Sequence, residues 1–194
     1  MRKAKENFRK KKHLECTRNF DLETLIARDS WATIEDMENV VPFHIGKFKQ
    51  TVEKCKNQAP LPSKQDLSFC TRFVTTFLFL RVKCSRPLTF QFLTLSMFDK
   101  ARVNDGFVDQ TAFKTARRYS FDMLLIGAEV FTVLDAYIDY VRPLFNPACD
   151  YLLLSINGNQ NQSLTTAMTM LVYEAIGKYI HPCLLYTSPS PRDS

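Results

Sequence analysis

Apolar residues recur every three or four positions in runs that open beside Ser or Thr and close at Pro or Gly, which commits most of this chain to α-helix. The clearest run extends from Ala128 to Arg142: Val130, Val133, Leu134, Tyr137, Ile138 and Val141 share a face, and Pro143 and Pro147 follow it. A second, Thr33 to Lys56, carries Ile34, Met37, Val40, Val41, Ile45, Phe48 and Val52. Thr33 with Asp36 marks its start, and Pro42 is expected to interrupt it. Asn57 to Ser63, with two prolines, reads as a linker. Ser63 then caps a helix running to about Lys83, with Leu67, Cys70, Phe73, Val74, Phe77, Leu78 and Arg81 on or beside one face. The last helix is capped by Ser163 and shows Leu164, Ala167, Met168, Leu171, Val172, Ala175 and Ile176 on its apolar face.

Between these runs the period changes. The apolar stretch after Arg86-Pro87, up to Phe98, reads as mixed helix and turn, and Asn104-Asp105-Gly106 is a turn signal. Phe107–Thr115 and Tyr119–Ile126 read as two strands joined at Ala116-Arg117-Arg118, and Asp150–Ser155 as a short strand leading to Asn157-Gly158. Sixteen Phe against five Gly agree with a helix-rich interior of bulky side chains. The expected fold is mainly α with a small antiparallel β-sheet.

The net charge of +6 is confined to the first twelve residues. Arg2, Lys3, Lys5, Arg9, Lys10, Lys11 and Lys12 stand there against Glu6 alone, while the other 182 residues carry 19 basic and 19 acidic side chains. Residues 1–18 therefore read as a basic arm, one charged helix or a disordered tail. Such an arm suits a nucleic-acid contact or a nuclear-import signal, and equally a solvated terminus. Six scattered cysteines with no C-x-x-C and three distant histidines argue against a metal site. The charged N-terminus is followed by no apolar stretch, and the longest apolar run, Phe73 to Leu80, is too short for a bilayer. These features predict an intracellular, nuclear protein with no membrane partner.

The final residues, Cys183 to Ser194, read CLLYTSPSPRDS. This segment resembles the translation of a transposase-type sequencing adapter, and a reverse translation reproduces that adapter almost completely. The natural protein is then expected to continue past Pro182.

No G-x-G-x-x-G, P-loop, G-x-S-x-G or H-E-x-x-H occurs, so the common nucleotide, hydrolase and zinc-protease sites are excluded on motif grounds and no cofactor is expected. Three basic residues remain, each at the end of an expected element: Arg86 after a buried helix, Lys114 at a hairpin and His181 after the last helix. With the stretches FLFLRVKCSRPLTFQFLT, GFVDQTAFKT, VLDAYIDYVRP, CDYLLLS and AIGKYIHP, the chain resembles the tyrosine recombinase (phage-integrase-like) family, and more closely recombinase-related proteins of animal mobile elements. The likeness covers roughly Asp66 to Pro182. With the charge distribution and the adapter-like tail, it divides the chain into a basic arm at 1–18, a helical N-terminal segment and linker at 19–62, what by resemblance is a partial recombinase catalytic domain at 63–182, and a non-native tail at 183–194.

The family's catalytic set is Arg, Lys, His-x-x-Arg, a second His or Trp, and a Tyr nucleophile. By resemblance Arg86 matches the first arginine, Lys114 the hairpin lysine and His181 the opening histidine. The acidic residue three places after the first arginine is Thr89 here, and the second arginine should fall at 184, where Leu184 stands. Tyr186, in the adapter-like tail, is a decoy. The implied partner is double-stranded DNA, on which the full-length form could be a homo-oligomer, and as given the chain should cut nothing. Singly, the residues have plainer roles: Arg86 as a helix C-cap, Lys114 as a strand-end charge, His181 on a helix dipole. Two other readings follow, a domesticated recombinase-like protein that only binds DNA and a helical protein-interaction module.

Overall fold

The computed structural model describes residues 32–58, 60–82, 87–109 and 124–178. They are mainly helical with one two-stranded antiparallel sheet, as the apolar periodicity implies. Helix α1, Ile34–Asn57, opens with a capping box: the Thr33 hydroxyl accepts from the Asp36 amide at 3.1 Å, and the Asp36 carboxylate accepts from the Thr33 amide at 2.8 Å. Pro42 lies inside α1 without interrupting it. It is exposed, and so is Glu38, whose carbonyl loses its amide partner, so water can reach that carbonyl. Meanwhile Val40, Val41, His44 and Phe48 hold the buried side of the helix.

Helix α2, Lys64–Arg81, repeats the device with Ser63 and Asp66. It lies at the centre of the fold, packed against α1, against α4 (Ala128–Ala136) and against α5 (Leu164–Ile176). Instead of one apolar face, every residue from Phe73 to Phe79 is buried. The threonines in this run survive burial because Thr75 and Thr76 donate their hydroxyls to the carbonyls of Thr71 and Arg72, one turn back. Phe69, Phe73 and Phe77 form a ladder along α2, and Phe48 of α1 stacks on Phe73 with ring centres 4.5 Å apart.

A 3₁₀ turn, Pro87–Phe92, leads to α3, Leu95–Val103, capped by Thr94. The mixed helix-and-turn reading of this stretch agrees with that. The turn at Asp105-Gly106 takes two left-handed residues and delivers the chain to β1, Phe107–Val108, which pairs antiparallel with β2, Leu124–Leu125. Only the bases of the two expected strands fall within the described residues. Val108 and Leu124 face the core, and Phe107 and Leu125 face out.

The run from Ala128 to Arg142 is not a uniform α-helix. It is α-helical to Ala136, widens into a π turn over Tyr137–Val141 and tightens into a 3₁₀ turn over Arg142–Phe145. The π turn turns the Tyr137 hydroxyl inward, where it meets Thr71 Oγ1 at 3.1 Å. The expected strand Asp150–Ser155 is absent: its backbone bends at Asp150, Leu152 and Leu153 and makes only isolated bridges, Thr94 with Tyr151 and Leu154 with Gln160. Ser163 occupies the N-cap of α5 but contributes no side-chain cap bond, and its own amide donates to the Asn161 side chain. Residues on both sides of position 62 share one hydrophobic core.

Candidate functional site

Arg86, Lys114 and His181 lie outside the described residues, as do Leu184, Tyr186 and the arm residues Arg2, Lys3, Lys5, Arg9, Lys10, Lys11 and Lys12. The structure does describe elements on both sides of Arg86 and Lys114 in sequence, and the helix that precedes His181. Before Arg86, α2 ends at Arg81, and Val82 is buried with its amide on the Leu78 carbonyl at 2.9 Å. After it, the 3₁₀ turn packs Phe90 against Phe79 with ring centres 5.2 Å apart. Thr89, at the position where the resembling family has an acid, is buried. A neutral hydroxyl tolerates that depth better than a carboxylate, which would need a charged or hydrogen-bonding partner there.

Lys114 falls between β1 and β2, whose register pairs Phe107 with Leu125 and Val108 with Leu124. The base of this pair is closed by the Ile126 amide on the Gly106 carbonyl at 2.9 Å. Gly106 has φ +85°, and an added Cβ would stand 2.3 Å from the Ile126 carbonyl oxygen, so no other residue fits without moving a backbone. His181 comes five residues after the end of α5, whose C-cap Gly177 is left-handed. There Lys178 Nζ meets Asp36 Oδ2 at 3.0 Å and ties the end of α5 to the start of α1. This cation and the capping bonds hold the Asp36 carboxyl below its ordinary value, the backbone bond from Thr33 contributing most.

Two buried polar groups of the core went unremarked in the sequence. Tyr137 is wholly buried, and its hydroxyl also accepts a long bond, 3.5 Å, from the Leu154 amide. Burial pushes this phenol up to about 12, the Thr71 and Leu154 bonds working against the rise. Sealed in the core, Tyr137 cannot reach a phosphodiester. Arg142 is also buried: Nη2 donates to the carbonyls of Cys149 at 2.7 Å and Tyr151 at 3.1 Å, and Nε donates to Tyr151 at 3.3 Å. An arginine ending an apolar helix and followed by proline reads as a dipole-stabilising charge, so periodicity hides the inward turn. Arg142 opens the 3₁₀ turn that contains Pro143, after the regular α-helix has already ended at Ala136.

A second cationic feature also escaped the charge count. Lys47, Lys49, Lys54 and Lys56 are all exposed on the C-terminal half of α1, with Glu53 among them, whereas Glu35, Asp36 and Glu38 crowd its first turns. Acid at one end cancels base at the other in a whole-chain sum. The Lys47 ammonium stands over the Phe69 ring at 4.3 Å and that of Lys56 over Tyr140 at 5.7 Å. Among the described residues no three His, Cys, Asp or Glu side chains converge as a metal site, and no helix is long and apolar enough to cross a membrane. Comparison with protein-family models, with curated proteins and with solved structures found no match.

Proposed function

We propose that the chain is the N-terminal part of a tyrosine recombinase acting on double-stranded DNA, with the rest of its catalytic set encoded beyond Pro182. The observation that carries this reading is the order Arg86, Lys114, His181 set against the elements around them. A buried helix precedes the arginine, antiparallel strands stand on either side of the lysine, and a helix precedes the histidine. Each is the element type that the resemblance requires at that point.

In the proposed reaction a tyrosine hydroxyl attacks the phosphorus of a DNA phosphodiester, and the bond to the 5′ oxygen breaks. Negative charge gathers on the non-bridging oxygens, where the planar fork of Arg86 binds two of them in fixed geometry. Lys114 gives its proton to the departing 5′ oxygen, and His181 acts as base or as a further donor at the phosphate. The product, a 3′-phosphotyrosine, keeps the bond energy, so attack by a 5′ hydroxyl rejoins the strand without ATP. The basic side chains supply the positive charge that a metal supplies in other phosphoryl-transfer sites.

The test uses the completed reading frame. Arg86→Ala should slow cleavage by roughly 10² to 10³-fold, the scale for one preorganised charge stabiliser, with DNA affinity nearly intact. Lys114→Ala should also slow it, but a substrate whose leaving group has a low pKa should restore the rate, because such a group needs no acid. Arg86→Ala should not be restored in that way. Wild-type cleavage by both variants, or the absence of any covalent protein–DNA adduct, sinks the assignment.

A further inference from the structure

Cys149 to Leu152 runs through bends on either side of a single bridge at Tyr151, and its successive carbonyls meet different partners. On one side it is bonded to the residues that follow the 3₁₀ turn. The Leu95 amide donates to the Asp150 carbonyl at 3.0 Å, and the Leu152 amide donates to the Leu93 carbonyl at 2.8 Å. On the other side no strand stands among the described residues. The carbonyls of Cys149 and Tyr151 are taken by the guanidinium of Arg142. One buried guanidinium thus takes both carbonyls, and its charge strengthens each bond.

The clamped segment is tied further toward the 3₁₀ turn. Gln160 Nε2 donates to the Gln91 carbonyl at 2.9 Å, and the Leu154–Gln160 bridge closes the loop from which that side chain reaches. Phe90 and Leu93 are buried in the core at the same place. The stretch Pro87 to Leu95 is therefore held between the core and a loop whose carbonyls Arg142 binds.

We infer that Arg142 is a positioning residue: through Cys149–Leu152 it fixes the segment that begins one residue after Arg86. The inference rests on the proposed function for its consequence, since a guanidinium that must bind two oxygens in fixed geometry needs a fixed backbone behind it. The clamp itself stands on the bonds just described. Nη2 alone reaches both carbonyls, and Nε adds a second bond to Tyr151 that the single ammonium of a lysine could not add in the same planar geometry.

Amide hydrogen exchange of the 194-residue chain, read by NMR, tests this. Arg142→Met should speed exchange at Leu95 and Leu152 by roughly ten- to a hundredfold, the scale of a lost hydrogen bond to a charged donor. The amides from Leu88 to Phe92 should become faster with them, and Arg142→Lys should fall between. Val74 in α2 and Leu171 in α5 should keep their protection. Unchanged exchange at Leu95 and Leu152 would overturn the inference, as would an equal loss at Val74 and Leu171. If Arg142→Met does not fold, the unmodified protein reports the same point: the Arg142 Nε proton should exchange slowly and open together with Leu95 and Leu152. A fast Nε proton would overturn it. None of these readouts involves DNA, so failure here is distinct from failure of the recombinase reading, which the Arg86→Ala cleavage rate decides.

Discussion

Removing the Tyr137 hydroxyl should cost stability through the partners it leaves behind. Tyr137→Phe keeps the ring and its packing but takes the partner from Thr71 Oγ1 at 3.1 Å and from the Leu154 amide at 3.5 Å. Both groups are buried, so water does not replace the hydroxyl. The second bond is long and contributes little, which leaves a cost of about 1–2 kcal/mol, set mostly by Thr71. For a chain of this size that is a fall in Tm of roughly 2–8 °C, measurable by circular dichroism. Thr71→Val in the same protein should recover part of the loss, with a coupling energy of about 1 kcal/mol, because no orphaned hydroxyl then remains. The pH dependence supplies a second check. The phenol is raised from 10 in the unfolded chain to about 12 in the fold. Above pH 10 the unfolded chain gives up this proton while the folded chain keeps it. The stability linked to Tyr137 is therefore fully present below pH 10 and is lost as the pH rises from 10 through 12. The gap between wild type and Tyr137→Phe should shrink over that window. A neutral single variant, additive behaviour with Thr71→Val, or a gap constant from pH 10 to 12 would refute the reasoning.

Gly106→Ala should destabilise the chain by roughly 2–4 kcal/mol in urea unfolding, since it joins a left-handed backbone to a Cβ meeting the Ile126 carbonyl. A cost under about 0.5 kcal/mol would mean that β1 and β2 are not closed at that turn. Binding of the 194-residue chain to duplex DNA should be non-specific, no tighter than about 10⁻⁴ to 10⁻⁶ M at physiological salt, and should weaken steeply as salt rises. Deleting residues 1–12 should remove most of that slope, leaving a remainder for Lys47, Lys49, Lys54 and Lys56; a slope unchanged by the deletion would show that the arm is not the contact.

Helix positions were legible because their signals are local. Thr33-x-x-Asp36 and Ser63-x-x-Asp66 are complete capping boxes in four residues, and both form. Pro42 misled because whether a proline breaks a helix depends on where the freed carbonyl points, and Glu38 lies on the solvent side. Asp150–Ser155 has the apolar run of a strand, but its backbone bends and the carbonyl of Tyr151 is taken by the Arg142 side chain. A period-two pattern cannot foresee that. The π turn at Tyr137–Val141 keeps its apolar residues at nearly helical spacing, so only the hydroxyl's partner on α2 reveals it. The proposed catalytic residues were named from resemblance and spacing; described elements stand on both sides of Arg86 and Lys114 in sequence, and a helix precedes His181. Arg142 and Tyr137 are the reverse case, unremarkable as sequence and central in the packing.

The most direct test of the recombinase reading is the uninterrupted gene sequence past the codon for Pro182. The reading predicts one residue and then an arginine, completing His-x-x-Arg from His181, followed downstream by a second His or Trp and a tyrosine. A stop codon directly after Pro182, or a continuation with no arginine at 184 and no later tyrosine, would contradict it.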